Sequence, residues 1–166
     1  NNLGFVLQAM GQAEKAVTFY QQSLDMRVKL YPAAKYPDGH PDLATSLNNQ
    51  GSVLEAMGQA EKAATFYQQS LDMRRKLYPA AKYPDGHPDL AGSLNNLGFV
   101  LKAMGQAEKA ATFYQQGLDM YRKLYPAAKF PDGHPHLATG LNNLGFVLQA
   151  MGQAEKAVTF YQQSLD

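Results

Sequence analysis

The chain has 166 residues, 45% of them hydrophobic, and its 15 basic and 14 acidic side chains leave a formal charge of +1. That balance gives no electrostatic footprint for nucleic acid or an anionic membrane surface, so neither partner is expected. The absence of cysteine excludes disulfides and thiolate metal sites, and no apolar run reaches the roughly 18 residues of a membrane span.

In chain order, apolar spacing and turn residues predict eight helices, over roughly 1–10, 12–30, 41–57, 59–77, 88–104, 106–124, 135–151 and 153–166. The segment Asn1–Asp25 recurs letter for letter as Asn142–Asp166, three periods of 47 residues further on, and near-copies start at Asn48 and Asn95. A fixed period of this size marks stacked repeats, not a compact enzyme domain. The repeats fall at approximately 1–40, 41–87, 88–134 and 135–166.

The third repeat shows the logic. Pro88 suits the first turn of a helix, where its missing N–H would be unpaired anyway, and Asp89 suits the positive end of the dipole. Leu90, Leu94, Leu97, Leu101 and Met104 then follow in steps of four and three, drawing one apolar stripe. Gly105 ends this helix A. Helix B follows at once, with Ala110, Phe113, Tyr114, Gly117 and Leu118 on a common face. Its small residues, Ala110 and Gly117, permit close approach of a neighbour. Tyr125-Pro126 stops it, because a residue before proline is pushed out of the α region. The loop Ala127–His134 carries Pro-Asp-Gly turn chemistry, and Pro135 opens the next helix. Short A–B turns imply antiparallel hairpins.

This pattern resembles the tetratricopeptide repeat (TPR) through Gly51, Gly58, Ala63, Tyr67 and Ser70, and through Leu97, Gly98, Leu101, Gly105, Ala110, Tyr114 and Gly117. The ordinary repeat of that family has about 34 residues; here the extra length falls after helix B. Kinesin-light-chain-type repeats are a closer likeness, through the Leu-Asn-Asn-Leu stretches Leu94–Leu97 and Leu141–Leu144 and the His-Pro-Asp stretches His40–Asp42 and His87–Asp89. The resemblance implies an all-α, right-handed superhelical solenoid of antiparallel helix hairpins, with a role in protein binding or assembly. It also implies a groove lined by helix A. By motif phase the groove positions are Asn1, Phe5 and Gln8; Asn48, Ser52 and Glu55; Asn95, Phe99 and Lys102; and Asn142, Phe146 and Gln149. The second members of the asparagine pairs are Asn2, Asn49, Asn96 and Asn143.

A carboxamide both donates and accepts, so these asparagines can pair with the backbone of an extended peptide whatever its sequence. The alternative is that they tie adjacent helices together. Phe5, Phe99 and Phe146 form either an exposed aromatic row or packing between hairpins. The second repeat departs at three places on helix A: Ser52 interrupts that row, Glu55 replaces Gln or Lys, and Gln50 replaces a leucine where a polar amide costs stability unless paired.

His40, His87, His134 and His136 lack a carboxylate or thiolate at ligand spacing. Capping and loop packing suit them better than a metal, and no cofactor is expected. The recurring Tyr31, Tyr78 and Tyr125, with Tyr36, Tyr83 and Phe130, are expected to pack each loop against the next. The Glu-Lys pairs from Glu14-Lys15 to Glu155-Lys156 read as a solvated face. No nucleophile, base and carboxylate set stands out, so an enzyme is not expected. The chain carries no readable leader, and a cytoplasmic location is expected.

The leading expectation is a scaffold that binds an extended peptide or partner protein on helix A. The alternatives are a self-assembling module and a spacer within a larger protein. The repeat pattern is intact at both ends, without polar caps, and open apolar ends can stack head to tail.

Overall fold

The computed structural model describes residues 2–165, apart from the side chains of Asn2 and Phe5. Eight α-helices and no strand are found among the described residues: α1 (Asn2–Ala9), α2 (Ala13–Leu30), α3 (Pro41–Ala56), α4 (Ala60–Leu77), α5 (Pro88–Ala103), α6 (Ala107–Leu124), α7 (Pro135–Ala150) and α8 (Ala154–Gln163). They gather into two compact units, Asn1–Leu77 and Tyr78–Asp166, each holding two hairpins.

Each long helix A starts on a histidine. His40 has extended backbone and its Nδ1 accepts a hydrogen bond from the Asp42 amide at 3.2 Å, with Pro41 in the first turn. His87 and His134 repeat the arrangement with Asp89 and His136. The imidazole therefore does the work of an N-cap, satisfying one of the orphan amides that every helix start leaves.

The A–B turn is a Schellman closure. In α3, the Gly58 amide donates to the Glu55 carbonyl at 2.8 Å and the Gln59 amide to the Leu54 carbonyl at 2.9 Å. Gly58 stands at φ +72°, a left-handed conformation that side chains rarely adopt. The next helix then begins at once, so A and B must run antiparallel. Their close approach is set by a glycine against a ring: a Cβ on Gly51 would meet the Tyr67 ring at 2.8 Å.

In the first unit, α1 and α2 pair, α3 and α4 pair, and α3 packs on α2. Ala16, Tyr20 and Val53 form one core cluster, with Leu7 and Val17 against it. Leu24, Leu43 and Leu47 form another, flanked by Tyr31, Phe66 and Met73. In the second unit α5 pairs with α6, α7 with α8, and α7 packs on α6; Tyr114, Leu118, Val100 and Val147 are fully buried there.

The loop after each helix B is an ordered ring cluster. Tyr31 stacks on His40 with centroids 3.6 Å apart, and Tyr36 meets both edge-on. The same triad recurs as Tyr78, Tyr83 and His87 and as Tyr125, Phe130 and His134. Each triad thus closes within its own loop, and no described ring contact runs from one loop to the next, because the capping histidine folds back onto its own tyrosine. Gly39 seats the first loop on Met73 of α4, and Gly86 the second on Met120 of α6.

Candidate protein-interaction surface

The helix A positions separate into three rows by what their side chains touch. In the second unit the first asparagine of each pair, Asn95 and Asn142, is held within its own hairpin. Asn95 is buried, and its amide nitrogen donates to the Ala91 carbonyl at 3.2 Å. It fills the space above Gly117, where the sister repeats carry serine. Asn142 accepts a hydrogen bond from the Ser164 hydroxyl at 2.9 Å. In the second repeat Ser70 instead donates to the Ala44 carbonyl at 2.8 Å, and Asn48 is half-buried. In the second unit this row ties helix A to helix B. The second asparagines, Asn49, Asn96 and Asn143, are half-buried.

The next row contains Ser52, Phe99 and Phe146. Ser52 shares a recess of about 310 Å³ with Gln8, Ala9, Tyr20 and Asn49, so three of the sequence-derived positions converge in the first unit. In the second unit Phe99 and Phe146 are 44% and 52% exposed. The Lys102 ammonium lies over both rings, 5.1 Å from the Phe99 centroid and 3.8 Å from that of Phe146. This is cation–π geometry, and burial holds the ammonium below the usual lysine range.

The third row contains Glu55, Lys102 and Gln149. The Tyr67 hydroxyl donates to Glu55 at 2.8 Å, and the Tyr161 hydroxyl to Gln149 at 3.1 Å. Lysine cannot accept such a bond, and Lys102 lies on the phenylalanine faces instead. Burial first, then the Glu55 carboxylate, push the Tyr67 hydroxyl well above the ordinary tyrosine value; the Ser52 hydroxyl pulls partly the other way. Asn1 and the side chains of Asn2 and Phe5 lie outside the described residues.

Sequence reading missed the contacts at the junction between successive repeats. Arg27 donates to the Asp42 carbonyl at 2.6 Å and to the Ser46 hydroxyl at 2.8 Å. One period on, the same positions are Arg74, Asp89 and Ser93; two periods on they are Tyr121, His136 and Gly140. There Tyr121 stacks on His136, with centroids 5.1 Å apart. The three positions change together, replacing a charged hydrogen-bonded junction by a ring stack. Aligning the repeats at 47 residues would have exposed this. Among the described residues no group of three or more His, Asp or Glu side chains is placed to hold a metal ion, and no helix is long and apolar enough to cross a membrane.

Two family models described as tetratricopeptide repeat match the chain, one over residues 1–76 and the other over 90–136 and 137–166. The chain therefore belongs to the tetratricopeptide-repeat family, an all-α solenoid of helical hairpins whose general role is that of a protein–protein interaction scaffold. Within that family its repeats resemble those of kinesin light chains. Among solved structures, it is similar to the nearly identical TPR-like repeats of a candidate kinesin light chain of Podosopora anserina, at 23% identity and a TM-score of 0.79, over 98% of this chain and 70% of that one. A variant of the same protein gives 22% identity and a TM-score of 0.80, with the same coverage. BtubC (BKLC) of P. vanneervenii gives 21% and 0.74, over 98% of this chain and 59% of that one. No curated protein sequence matches.

Proposed function

We propose that the helix A surface binds an extended segment of a partner protein. The observation that carries this reading is the exposed ring pair Phe99 and Phe146 with the Lys102 ammonium over both. Exposed aromatic rings are uncommon on a surface with no use for them, and they anchor interfaces well. The recess holding Gln8, Asn49 and Ser52 supports the same reading, because carboxamides and a hydroxyl there can meet a peptide backbone in either sense. Asn95 and Asn142 hold helix B, so the reading rests on Asn49, Asn96 and Asn143 and on the rings. The test is a displayed peptide library panned on the chain and on a Phe99→Ala/Phe146→Ala double variant. Peptides enriched by the parent and lost by the variant are expected; enrichment that survives in the variant would refute this site.

A further inference from the structure

A cleft of about 830 Å³ opens in the first unit between α2 and α4, with the loop Tyr31–Gly39 as one wall. Leu24, Leu43, Leu47 and Met73 make its floor, and Asp25, Asp38, Asp72 and Lys76 stand at its rim, with the Arg75 guanidinium 3.3 Å from the Asp72 carboxylate. None of the helix A positions discussed above lines it.

The second unit contains the same cleft as an internal control. It lies between α6 and α8 against the loop Tyr125–Gly133, at about 680 Å³. There Arg122 lies 3.5 Å from the Asp119 carboxylate and reaches across to the Gln163 side-chain oxygen at 3.4 Å. The guanidinium thus bridges one wall to the other. In the first cleft the residue at the Arg122 position is Val28, 52% exposed. Asp25 and Gln69, the equivalents of Asp119 and Gln163, both line that cleft without an arginine between them. Asp25 takes a hydrogen bond from Gln21 at 2.8 Å, and among the described ion pairs none includes Asp25 or Asp38.

We infer that the first cleft is a docking site for a peptide segment of a partner protein that carries an arginine flanked by apolar side chains. The partner's guanidinium takes the seat between Asp25 and Gln69 that Arg122 fills from within the second unit, and its neighbours cover the leucine floor. Charge selects the ligand: with Asp72 held by Arg75, the Asp25 and Asp38 carboxylates disfavour an anionic segment and attract a cationic one. The planar fork of arginine suits a carboxylate and a carboxamide on opposite walls, which a lysine point charge does not match. The apolar floor separates such a segment from a free cation, which would leave it uncovered.

The test uses the full chain and a fluorescein-labelled capped peptide, Gly-Leu-Arg-Leu-Gly, followed by anisotropy. Counterparts carry citrulline or glutamate in place of the arginine. The parent is expected to bind the arginine peptide at one site, at least tenfold more tightly than either counterpart, and more weakly as salt rises. Val28→Arg, which installs the bridge already tolerated in the second unit, is expected to lower the affinity at least tenfold with an unchanged circular dichroism spectrum. Arg122→Val is expected to raise the stoichiometry from one to two. No binding by the parent, equal binding of the citrulline peptide, or a Val28→Arg variant that binds as the parent does would overturn the proposal. The Phe99→Ala/Phe146→Ala variant should bind this peptide normally, so failure here is separable from failure of the helix A reading.

Discussion

Gln50 is a weak point in the core of the first unit, and its replacement gives a sharp test. It is 3% exposed and its side-chain oxygen has no hydrogen-bond partner. Leu97 and Leu144 occupy the same position of their repeats at the same 3% exposure. The seat therefore already accepts a leucine, a side chain of similar volume. A buried acceptor left unmet costs about 1–3 kcal/mol, and Gln50→Leu removes that cost and adds apolar burial. The expected gain is about 1–3 kcal/mol; at about 2–4 °C per kcal/mol for a chain of this size, thermal unfolding should move up by about 2–12 °C. Because repeat arrays can unfold in parts, hydrogen exchange across α3 is the sharper assay, and its amides should open more rarely in the variant. Gln50→Ala, which opens a cavity, should not reproduce the gain. If Gln50→Leu leaves α3 exchange unchanged or makes it faster, the amide oxygen is satisfied in solution and the reasoning fails.

Three further outcomes are expected. The Tyr67 hydroxyl is raised in the folded chain, so its contribution is fully present below about pH 10, where the unfolded tyrosine keeps its proton, and is lost as pH climbs further; base titration followed by circular dichroism should show a shallower alkaline loss in Tyr67→Phe. Gly39→Ala and Gly58→Ala both force a side chain into positive φ, but only the first also drives it into Met73. Gly58→Ala should cost about 1–2 kcal/mol and Gly39→Ala clearly more in urea denaturation; equal costs would show that Met73 moves aside freely. Arg27→Tyr alone breaks the bonds to Asp42 and Ser46 and should cost about 1.5–3 kcal/mol. Adding Asp42→His and Ser46→Gly rebuilds the junction found at Tyr121, so the triple variant should recover part of that loss; strictly additive costs would deny the coupling.

The period, the helix starts and the A–B turns were legible because local chemistry fixes them. A His-Pro pair supplies a cap and a preset φ, and a Met-Gly-Gln run closes a Schellman turn, wherever the segment is placed. Alternating steps of three and four draw the apolar stripe without reference to any neighbour. The capping role of the histidines followed from the same local logic, and Gln50 could be flagged because its leucine counterparts are printed one and two periods away.

What the sequence alone could not decide was the direction of each polar side chain and which repeat it served. Asn95 and Asn96 are adjacent letters, yet one fills the space over Gly117 because a glycine there leaves room. Lys102 finds its place only because Phe146, a full repeat away in sequence, lies beside Phe99. Local rules act over a few residues, and they determined the hairpins. The surfaces depend on contacts between residues 40 or more positions apart, such as Arg122 with Gln163, and those distances exist only once the hairpins have packed.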